Sequence, residues 1–429
     1  MKKATVPRPG ILPEKPTLSV CMIVRDEEKM LPRCLKSVRD VADELIVVDT
    51  GSRDNTISIA RDFGAKVFHF KWCDDFAAAR NESLKHANGD WILEMDADEE
   101  LPRSSIHPLK EAIRNPRRLA YIVKCDDGPK APQRLGWIGR LFRNHPSVRY
   151  SRPYHESVQP SIEKLIAEEP GWQTYYEPSI MIRHYGYEGS KLSKKYERGL
   201  RIMQSYVNSH PNDWYTWTKL GNAYYGLGSN DEAESCLKTA LEINPASPEA
   251  NYSLGLILQK QEKVEAAIWY YKKAIAGDRL LAEARANLGA IYVQKGMLDD
   301  AISELKEALA INPDLALAHS NLGLAYINEG KLDEGVEQLN KAVAIDPDLA
   351  SAHMNLAIGY TKKGILDHAF LEYDKALNID PDYAKAHYNL AIAYYKKGHY
   401  RKAVKHCDRA MALGAKIDPQ LLELLKPHR

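Results

Sequence analysis

Asp96 and Asp98 stand one residue apart directly after Trp91-Ile92-Leu93-Glu94-Met95, a short and mostly apolar run. The run reads as a buried strand. Two carboxylates leaving one strand end can hold a hard divalent cation through oxygen. Mg2+ is commonly held by one or two carboxylates together with substrate phosphates. Open α/β sheets place ligands at the carboxyl ends of their strands, so the position suits the chemistry. The string alone does not decide it: Asp346-Pro347-Asp348 and Asp380-Pro381-Asp382 have the same spacing and fall in turns between predicted helices.

The elements needed to carry such a site are legible upstream. Leu18 to Val24 is a first strand, closed by Arg25-Asp26-Glu27-Glu28. Met30 to Val41 has the helical spacing of Leu31, Leu35 and Val38. Leu45 to Val48 is a second strand, ending in Asp49-Thr50-Gly51-Ser52-Arg53-Asp54-Asn55-Thr56, a turn-rich loop with a helix cap at Asn55 or Thr56. A helix over Ile57 to Phe63, a strand over Val67 to Phe70 and a helix over Phe76 to Ala87 lead into the acidic strand. This alternation argues a parallel α/β sheet. There is no G-x-G-x-x-G and no G-x-x-x-x-G-K-[ST], so neither a dinucleotide fold of the usual kind nor a P-loop is indicated.

The 429 residues suffice for two or three domains. A net charge of +1 gives no electrostatic case for nucleic acid or an anionic membrane. No apolar run is long enough to span a bilayer. Residues 1–17 lack the apolar core of a secretory signal, and their prolines predict an extended tail over 1–16. Six scattered cysteines without a C-x-x-C pair read as reduced thiols, and with the missing signal they predict a cytoplasmic protein.

Four stretches together carry a resemblance: Met22-Ile23-Val24-Arg25-Asp26-Glu27-Glu28, Val47-Val48-Asp49-Thr50-Gly51-Ser52, Ala79-Arg80-Asn81 and Asp96-Ala97-Asp98. In order and spacing the region Leu18 to Tyr187 resembles a family 2 glycosyltransferase of GT-A fold. The resemblance implies a nucleotide-sugar donor, usually a UDP-sugar, and inversion at the anomeric carbon. It implies that Asp49 meets the base, Arg80 lies near the nucleotide, Asp96 near the ribose and metal, and Asp98 on the metal. The backbone after Val24, with Glu27, then borders the nucleotide pocket. The chemistry agrees, because a sugar diphosphate needs its leaving group neutralised, and bound Mn2+ or Mg2+ does that. An aspartate that accepts from a base N–H also gives selectivity. Each residue has a plainer reading: a strand-end aspartate caps its own turn or helix, and a helical arginine is solvated.

Farther on, Leu119 to Lys124 and Arg140 to Phe142 look like strands, crossed by Lys130, Arg134, Arg140, Arg143, Arg149 and Arg152. These basic residues form either a solvated face or a mouth that attracts a diphosphate. Pro153-Tyr154-His155-Glu156-Ser157-Val158 and Ile182-Arg183-His184-Tyr185-Gly186-Tyr187 resemble segments of bacterial members of the same family. The resemblance implies that His184 completes the metal site, a role imidazole can fill. It also implies a carboxylate base in the acceptor pocket, for which Glu156 is the candidate. Asp126, Asp127, Glu99 and Glu100 compete for that role. The plain alternatives are a packed histidine and a glutamate paired with a neighbouring arginine.

After a predicted connecting helix (189–213) the texture becomes a repeat. Trp217-x-x-Leu220-Gly221-x-x-Tyr224, then Ala233, Leu237, Ala240 and Pro245, matches the tetratricopeptide pattern. The leucine recurs every 34 residues as Leu220, Leu254, Leu288, Leu322, Leu356 and Leu390. Six repeats over 214–417, with a polar cap over 418–429, predict an all-α solenoid after the α/β domain of 17–188. Asn287, Asn321, Asn355 and Asn389 share one repeat position. A side-chain amide can pair with the backbone of any extended peptide. The row resembles the asparagine ladder of eukaryotic O-GlcNAc transferase, although asparagine beside this Leu-Gly pair is also simply common in such repeats. His319, His353 and His387 recur too, each one repeat apart, which argues against a shared metal.

The expectation is therefore an inverting, metal-dependent transferase using a UDP-sugar, with GlcNAc favoured, whose repeats recruit a protein acceptor. Flagellin is the most specific acceptor this reading reaches, and the oligomeric state is left open, a homo-oligomer included. The rivals are a polysaccharide or lipid-linked-sugar transferase with repeats for assembly, and a scaffold whose transferase domain has decayed. Intact Asp49, Asp96 and Asp98 argue against decay.

Overall fold

The computed structural model describes residues 8–11, 13–126, 135–185 and 192–429. Expectations for Asp127, Lys130, Arg134, Gly186 and Tyr187 fall outside them. The chain divides into two compact units, residues 1–223 and 224–429.

The first unit begins with alternating elements: β1 (Leu18–Val24), α1 (Leu31–Val38), β2 (Glu44–Asp49), α2 (Thr56–Asp62), β3 (Lys66–His69), α3 (Phe76–His86) and β4 (Trp91–Glu94). It continues with β5 (Glu99–Glu100), α4 (Arg103–Ala112), β6 (Arg118–Asp126), β7 (Leu135–Arg143), α5 (Gln159–Glu168), β8 (Gln173–His184) and α6 (Leu192–Ser209). One sheet has the order β3-β2-β1-β4-β7-β6-β8-β5. β1 to β4 run parallel, as the alternation predicts. The other half is mixed: β7 is antiparallel to β4 and β6, β8 is parallel to β6, and β5 is antiparallel to β8. Only eight residues separate Asp126 at the end of β6 from Leu135 at the start of β7, fewer than the dozen a parallel crossover needs, and the two strands pair antiparallel. β2 and β4 flank β1, so the strand order reverses there. Crevices outside the carboxyl ends at such a reversal are where open sheets bind ligands.

Side chains of β4 alternate. Trp91, Leu93 and Met95 enter the core layer that also contains Leu31, Leu35 and Leu109, while Ile92 enters the layer of Ala77 and Leu84 from α3. Burial of this kind contributes roughly 25 cal/mol per Å2 of apolar surface. It fixes the register that sends Glu94 and Asp96 toward α3.

The last three residues of α7 (Trp214–Gly226) open the second unit. Paired helices follow: α8 (Asn230–Ile243), α9 (Pro248–Lys260), α10 (Val264–Gly277), α11 (Ala282–Lys295), α12 (Leu298–Ile311), α13 (Ala316–Glu329) and α14 (Leu332–Ile345). Then come α15 (Ala350–Lys363), α16 (Leu366–Ile379), α17 (Ala384–Lys396), α18 (Tyr400–Ala412) and α19 (Pro419–Leu425). Glycine follows the repeat leucine at 221, 255, 289 and 323, with alanine at 357 and 391, and this small residue lets the two helices of a repeat touch. A Cβ at Gly289 would meet Leu305 at 2.6 Å, and one at Gly323 would meet Leu339 at 2.6 Å. First helices of successive repeats also pack on one another, α11 on α13 and α13 on α15. The aspartates of the Asp-Pro-Asp strings sit in inter-repeat turns, where Asp346 and Asp380 accept from the backbone N–H of Asp348 and Asp382 at 3.1 Å.

Candidate active site

A cleft of about 1140 Å3 opens at the carboxyl ends of β1, β2 and β4. Val24, Glu27, Arg80, Asp96, Asp98, Glu156 and His184 all line it. These seven come from segments far apart in sequence, and the fold brings them to one place.

One end of the cleft is built by the loops after β1 and β2. They are joined by side chain to backbone bonds: Asp26 N donates to Ser52 Oγ at 3.0 Å, Arg53 N to Asp26 Oδ1 at 2.7 Å, and Glu27 N to Thr56 Oγ1 at 2.7 Å. Asp26 has φ 55°, a left-handed conformation unusual for a residue with a side chain. His155 on the opposite wall has φ 52°. Strain of this type concentrates at functional sites. Asp49 lies behind the wall. It is buried, and its carboxylate accepts from Gly51 N at 3.0 Å and Ser52 N at 3.1 Å. That is the turn-capping arrangement, and its neighbour Thr50 is the residue of this pair that reaches the cleft.

The acidic strand end is divided between two jobs. Asp96 is held by two arginines: Arg80 Nη2 donates to Oδ1 at 2.8 Å and Arg140 Nη2 to Oδ2 at 2.6 Å. Burial works to raise the Asp96 pKa, but the Arg140 and Arg80 guanidiniums outweigh it and hold the carboxyl far below the usual range. Arg140 also donates to Glu99 Oε1 at 2.9 Å, so this member of the basic stretch is neutralised by carboxylates. Burial pushes Glu99 up to about 7, against the pull of Arg140. Asp98 is different. Its Oδ2 lies 3.3 Å from His184 Nε2, and both residues line the cleft.

That pair bears on the metal. Adjacent corners of an octahedron with bonds near 2.1 Å are about 3 Å apart, close to the observed spacing. Both oxygens of Asp96 are engaged by arginines. Among the described residues no cluster of three His, Cys, Asp or Glu side chains is placed to hold an ion. The donor set therefore fits a cation that takes two protein ligands and fills its remaining positions with water and substrate oxygens, as Mg2+ commonly does.

The motif Ala79-Arg80-Asn81 builds the opposite wall. Asp75 caps α3, its Oδ1 accepting from Ala78 N at 2.8 Å. Asn81 clamps Tyr150 reciprocally: its Nδ2 donates to Tyr150 O at 2.9 Å and its Oδ1 accepts from Tyr150 N at 2.8 Å. Ser151 and Ser157 then exchange backbone bonds and close a loop that presents Tyr154, His155 and Glu156. Arg80 Nε donates to Glu156 Oε1 at 2.6 Å. The sequence offered base or ion-pair partner for Glu156, and the structure has it in the ion pair, with only Oε1 engaged among the described residues. Of its competitors, Glu99 is buried, Glu100 accepts from the Tyr185 hydroxyl at 2.7 Å, and Asp126 lies 4.0 Å from Arg183. None of those three is among the described residues lining the cleft.

Some lining residues were not read from the sequence. Arg198 comes from α6, which the sequence gives only a connecting role, and Tyr215 from the start of α7. The Arg198 guanidinium lies 5.2 Å from the Phe76 ring centroid and 6.0 Å from that of Trp72.

In the second unit the four asparagines behave unequally. Asn355 is buried and its Nδ2 donates to Ser320 Oγ at 3.1 Å, one repeat back. Asn287 does the same to the Tyr252 hydroxyl at 3.3 Å. Asn389 Nδ2 donates to Lys385 O at 3.0 Å in its own helix. Asn321 is half-buried and has no side-chain hydrogen bond among the described residues. The histidine row is a set of staples. His319, His353 and His387 bond through Nε2 to the carbonyls of Pro313, Pro347 and Pro381 at 3.0–3.1 Å. Nδ1 of each faces Gln338, Glu372 or His406 on the following helix.

Comparison with known proteins agrees with this architecture. Residues 19–181 match the model of glycosyl transferase family 2. TPR repeat models match residues 221–262, 290–330, 325–364, 359–398 and 384–413. The chain carries a family 2 glycosyltransferase domain followed by tetratricopeptide repeats. A TPR repeat-containing protein of Synechococcus elongatus is 42% identical over 264 residues, covering 60% of this chain and 66% of the relative. Glycosyltransferase SunS of Bacillus subtilis is 25% identical over 238 residues, covering 53% of this chain and 54% of the relative. The chain thus spans between about half and about two thirds of these relatives' lengths. Among solved structures, YrrB, described as a TPR protein with an unusual peptide-binding site, covers 44% of this chain and 96% of its own, at 24% identity and TM-score 0.37. Among the described residues no helix is long and apolar enough to cross a membrane.

Proposed function

We propose that the protein is an inverting, metal-dependent glycosyltransferase that moves GlcNAc from UDP-GlcNAc to a protein acceptor recruited by its repeats, with flagellin as the leading acceptor. The observation that carries this reading is the single cleft lined by Asp98 and His184 together with Glu156. A family 2 domain supplies the expectation of a nucleotide-sugar donor.

In this reading the loops after β1 and β2 take the nucleotide, and Asp98 with His184 holds the cation. A divalent ion there neutralises charge on the leaving diphosphate. Glu156 keeps Oε1 on Arg80 and turns Oε2 to the acceptor. It removes the proton from the acceptor hydroxyl as that oxygen attacks the anomeric carbon on the face opposite the diphosphate. The bond from carbon to diphosphate oxygen breaks, the electron pair leaves with UDP, and the new glycosidic bond has inverted configuration. Arg80 and Arg140 keep Asp96 ionised and fixed as part of the cleft floor. For acceptor capture, Asn321 has an amide with no side-chain hydrogen bond to give up among the described residues, while Asn287 and Asn355 would have to break one.

Incubation with UDP-GlcNAc, Mn2+ and flagellin tests the proposal by intact mass. The expected result is an added N-acetylhexosamine that is absent with Asp98→Ala. UDP release without a mass increase would remove flagellin as acceptor, and no UDP release at all would remove the donor.

A further inference from the structure

Glu94 takes no part in the transfer just described, yet it carries a carboxylate where an apolar side chain is the default. It lies on β4 two residues before Asp96 and therefore on the same face of the strand. Ile92, the residue below it on that face, packs in one layer with Ala77 and Leu84 of α3. Arg80 occupies the matching place on the helix, since positions 77, 80 and 84 fall on one side. A buried carboxylate persists only when paired and hydrogen-bonded. Glu94 is fully buried, Oε1 accepts from Arg80 Nη1, and Oε2 has no hydrogen-bond partner among the described residues.

Arg80 uses its three nitrogens on three carboxylates. Nη1 goes to Glu94, Nη2 to Asp96 and Nε to Glu156. The guanidinium is a rigid planar fork, so holding one prong fixes the direction of the others. The three acids differ in freedom: the side chain of Glu94 is 0% exposed, that of Glu156 13% and that of Asp96 29%. The deepest of them is the fixed point. Tyr150 covers the same guanidinium from the cleft side, its ring centroid 5.7 Å away. We infer that Glu94 is a positioning residue: through Arg80 it sets the orientation in which Glu156 keeps one oxygen pinned and presents the other. The inference rests on the reading of Glu156 as base.

The test uses the full chain with UDP-GlcNAc and Mn2+, scoring UDP release to water, whose O–H stands in for the acceptor hydroxyl that Glu156 deprotonates, with Glu94→Gln, Glu156→Gln and the double variant. Glu94→Gln is expected to lower kcat about 10–100-fold, the range seen when an orienting partner is lost. KM for the donor and the Kd of UDP stay at their wild-type values, because neither depends on the orientation of the base. In the Glu156→Gln background the same change adds no further loss, since the group it orients is gone. A packing role would lower the melting temperature and cost the same factor in both backgrounds, which would overturn the inference, as would a wild-type kcat in Glu94→Gln. Should Glu94→Gln not fold, Arg80→Lys carries the test. It keeps a charge beside Glu94 and loses the Nε bond to Glu156, so its kcat falls and its loss vanishes in Glu156→Gln, while an equal loss in both backgrounds refutes the relay. Failure of the base reading looks different: Glu156→Gln alone would turn over at the wild-type rate. Wild-type protein that released no UDP from UDP-GlcNAc or UDP-glucose would remove the donor reading, and the inference with it.

Discussion

Replacing Arg80 by Met should be among the most damaging single changes to the first unit. The guanidinium is enclosed, and burial alone would lower its pKa, yet Asp96, Glu94 and Glu156 raise it well above the ordinary value. Methionine fills similar volume and removes all three charge-assisted bonds. Glu94 is then left fully buried without a counter-charge. Breaking a buried pair in this one-sided way costs about 3–5 kcal/mol. In a unit of about 200 residues each kcal/mol moves the midpoint by roughly 2–4 °C, which gives a drop on the order of 6–20 °C. Tryptophan fluorescence is a suitable probe, because Trp72, Trp91, Trp137, Trp172, Trp214 and Trp217 lie in residues 1–223 and Trp269 alone in 224–429. Adding Glu94→Leu should restore much of the loss, since exchanging a whole buried pair for apolar residues is often neutral. Arg80→Met within about 1 kcal/mol of wild type, less than one ordinary buried bond to a charge, would refute the enclosed network.

Other outcomes follow from the repeats. Burial, and then His387, depress the pKa of His406 to about 4, so the unfolded chain takes up this proton first as pH falls. Stability of the repeat unit should therefore decline between about pH 6.5 and 4, and thermal melts of His406→Asn should lose that part of the slope. Asn321→Ala should leave the melting temperature unchanged and weaken protein-acceptor use by about 0.5–1.5 kcal/mol, read as a rise in acceptor KM. Asn355→Ala should act on the inter-repeat contact with Ser320, and an acceptor KM that rises with Asn355→Ala but not Asn321→Ala would reverse the assignment.

The parts of this architecture that were legible in the sequence are those that obey a period. β1, β2 and β4 are mostly apolar runs, and the repeat leucines return at a fixed interval, so strands and solenoid could be read directly. β8 could not. Its first half is exposed and its register against β6 shifts between Val123 and Lys124, so it shows no alternation. α4 carries an internal proline, Pro108, and a polar first turn, which hide its helical spacing. At the site, type and spacing singled out Asp96 and Asp98, and only the family resemblance pointed to Glu156 and His184; neither told who pairs with whom. Asp96 and Asp98 look equivalent in a string, and the positions of Arg80 on α3 and Arg140 on β7 separate them. Glu94 had a signal that could have been used: charged residues at two core-facing positions, Arg80 on α3 and Glu94 on β4, call for each other. The four asparagines are identical in sequence, and what lies one repeat behind them, Ser320 for Asn355 and Tyr252 for Asn287, makes them differ.

In the proposed function this cleft binds a uridine diphosphate through a cation held by Asp98 and His184. Calorimetric titration of UDP into the full chain in Mn2+ and then in EDTA, on wild type and Asp98→Ala, tests it most directly. Saturable binding at one site is expected in Mn2+, with loss of that binding in EDTA and the same loss in Asp98→Ala at an unchanged melting temperature. Equal UDP affinity in Mn2+ and EDTA, retained by Asp98→Ala, would contradict it.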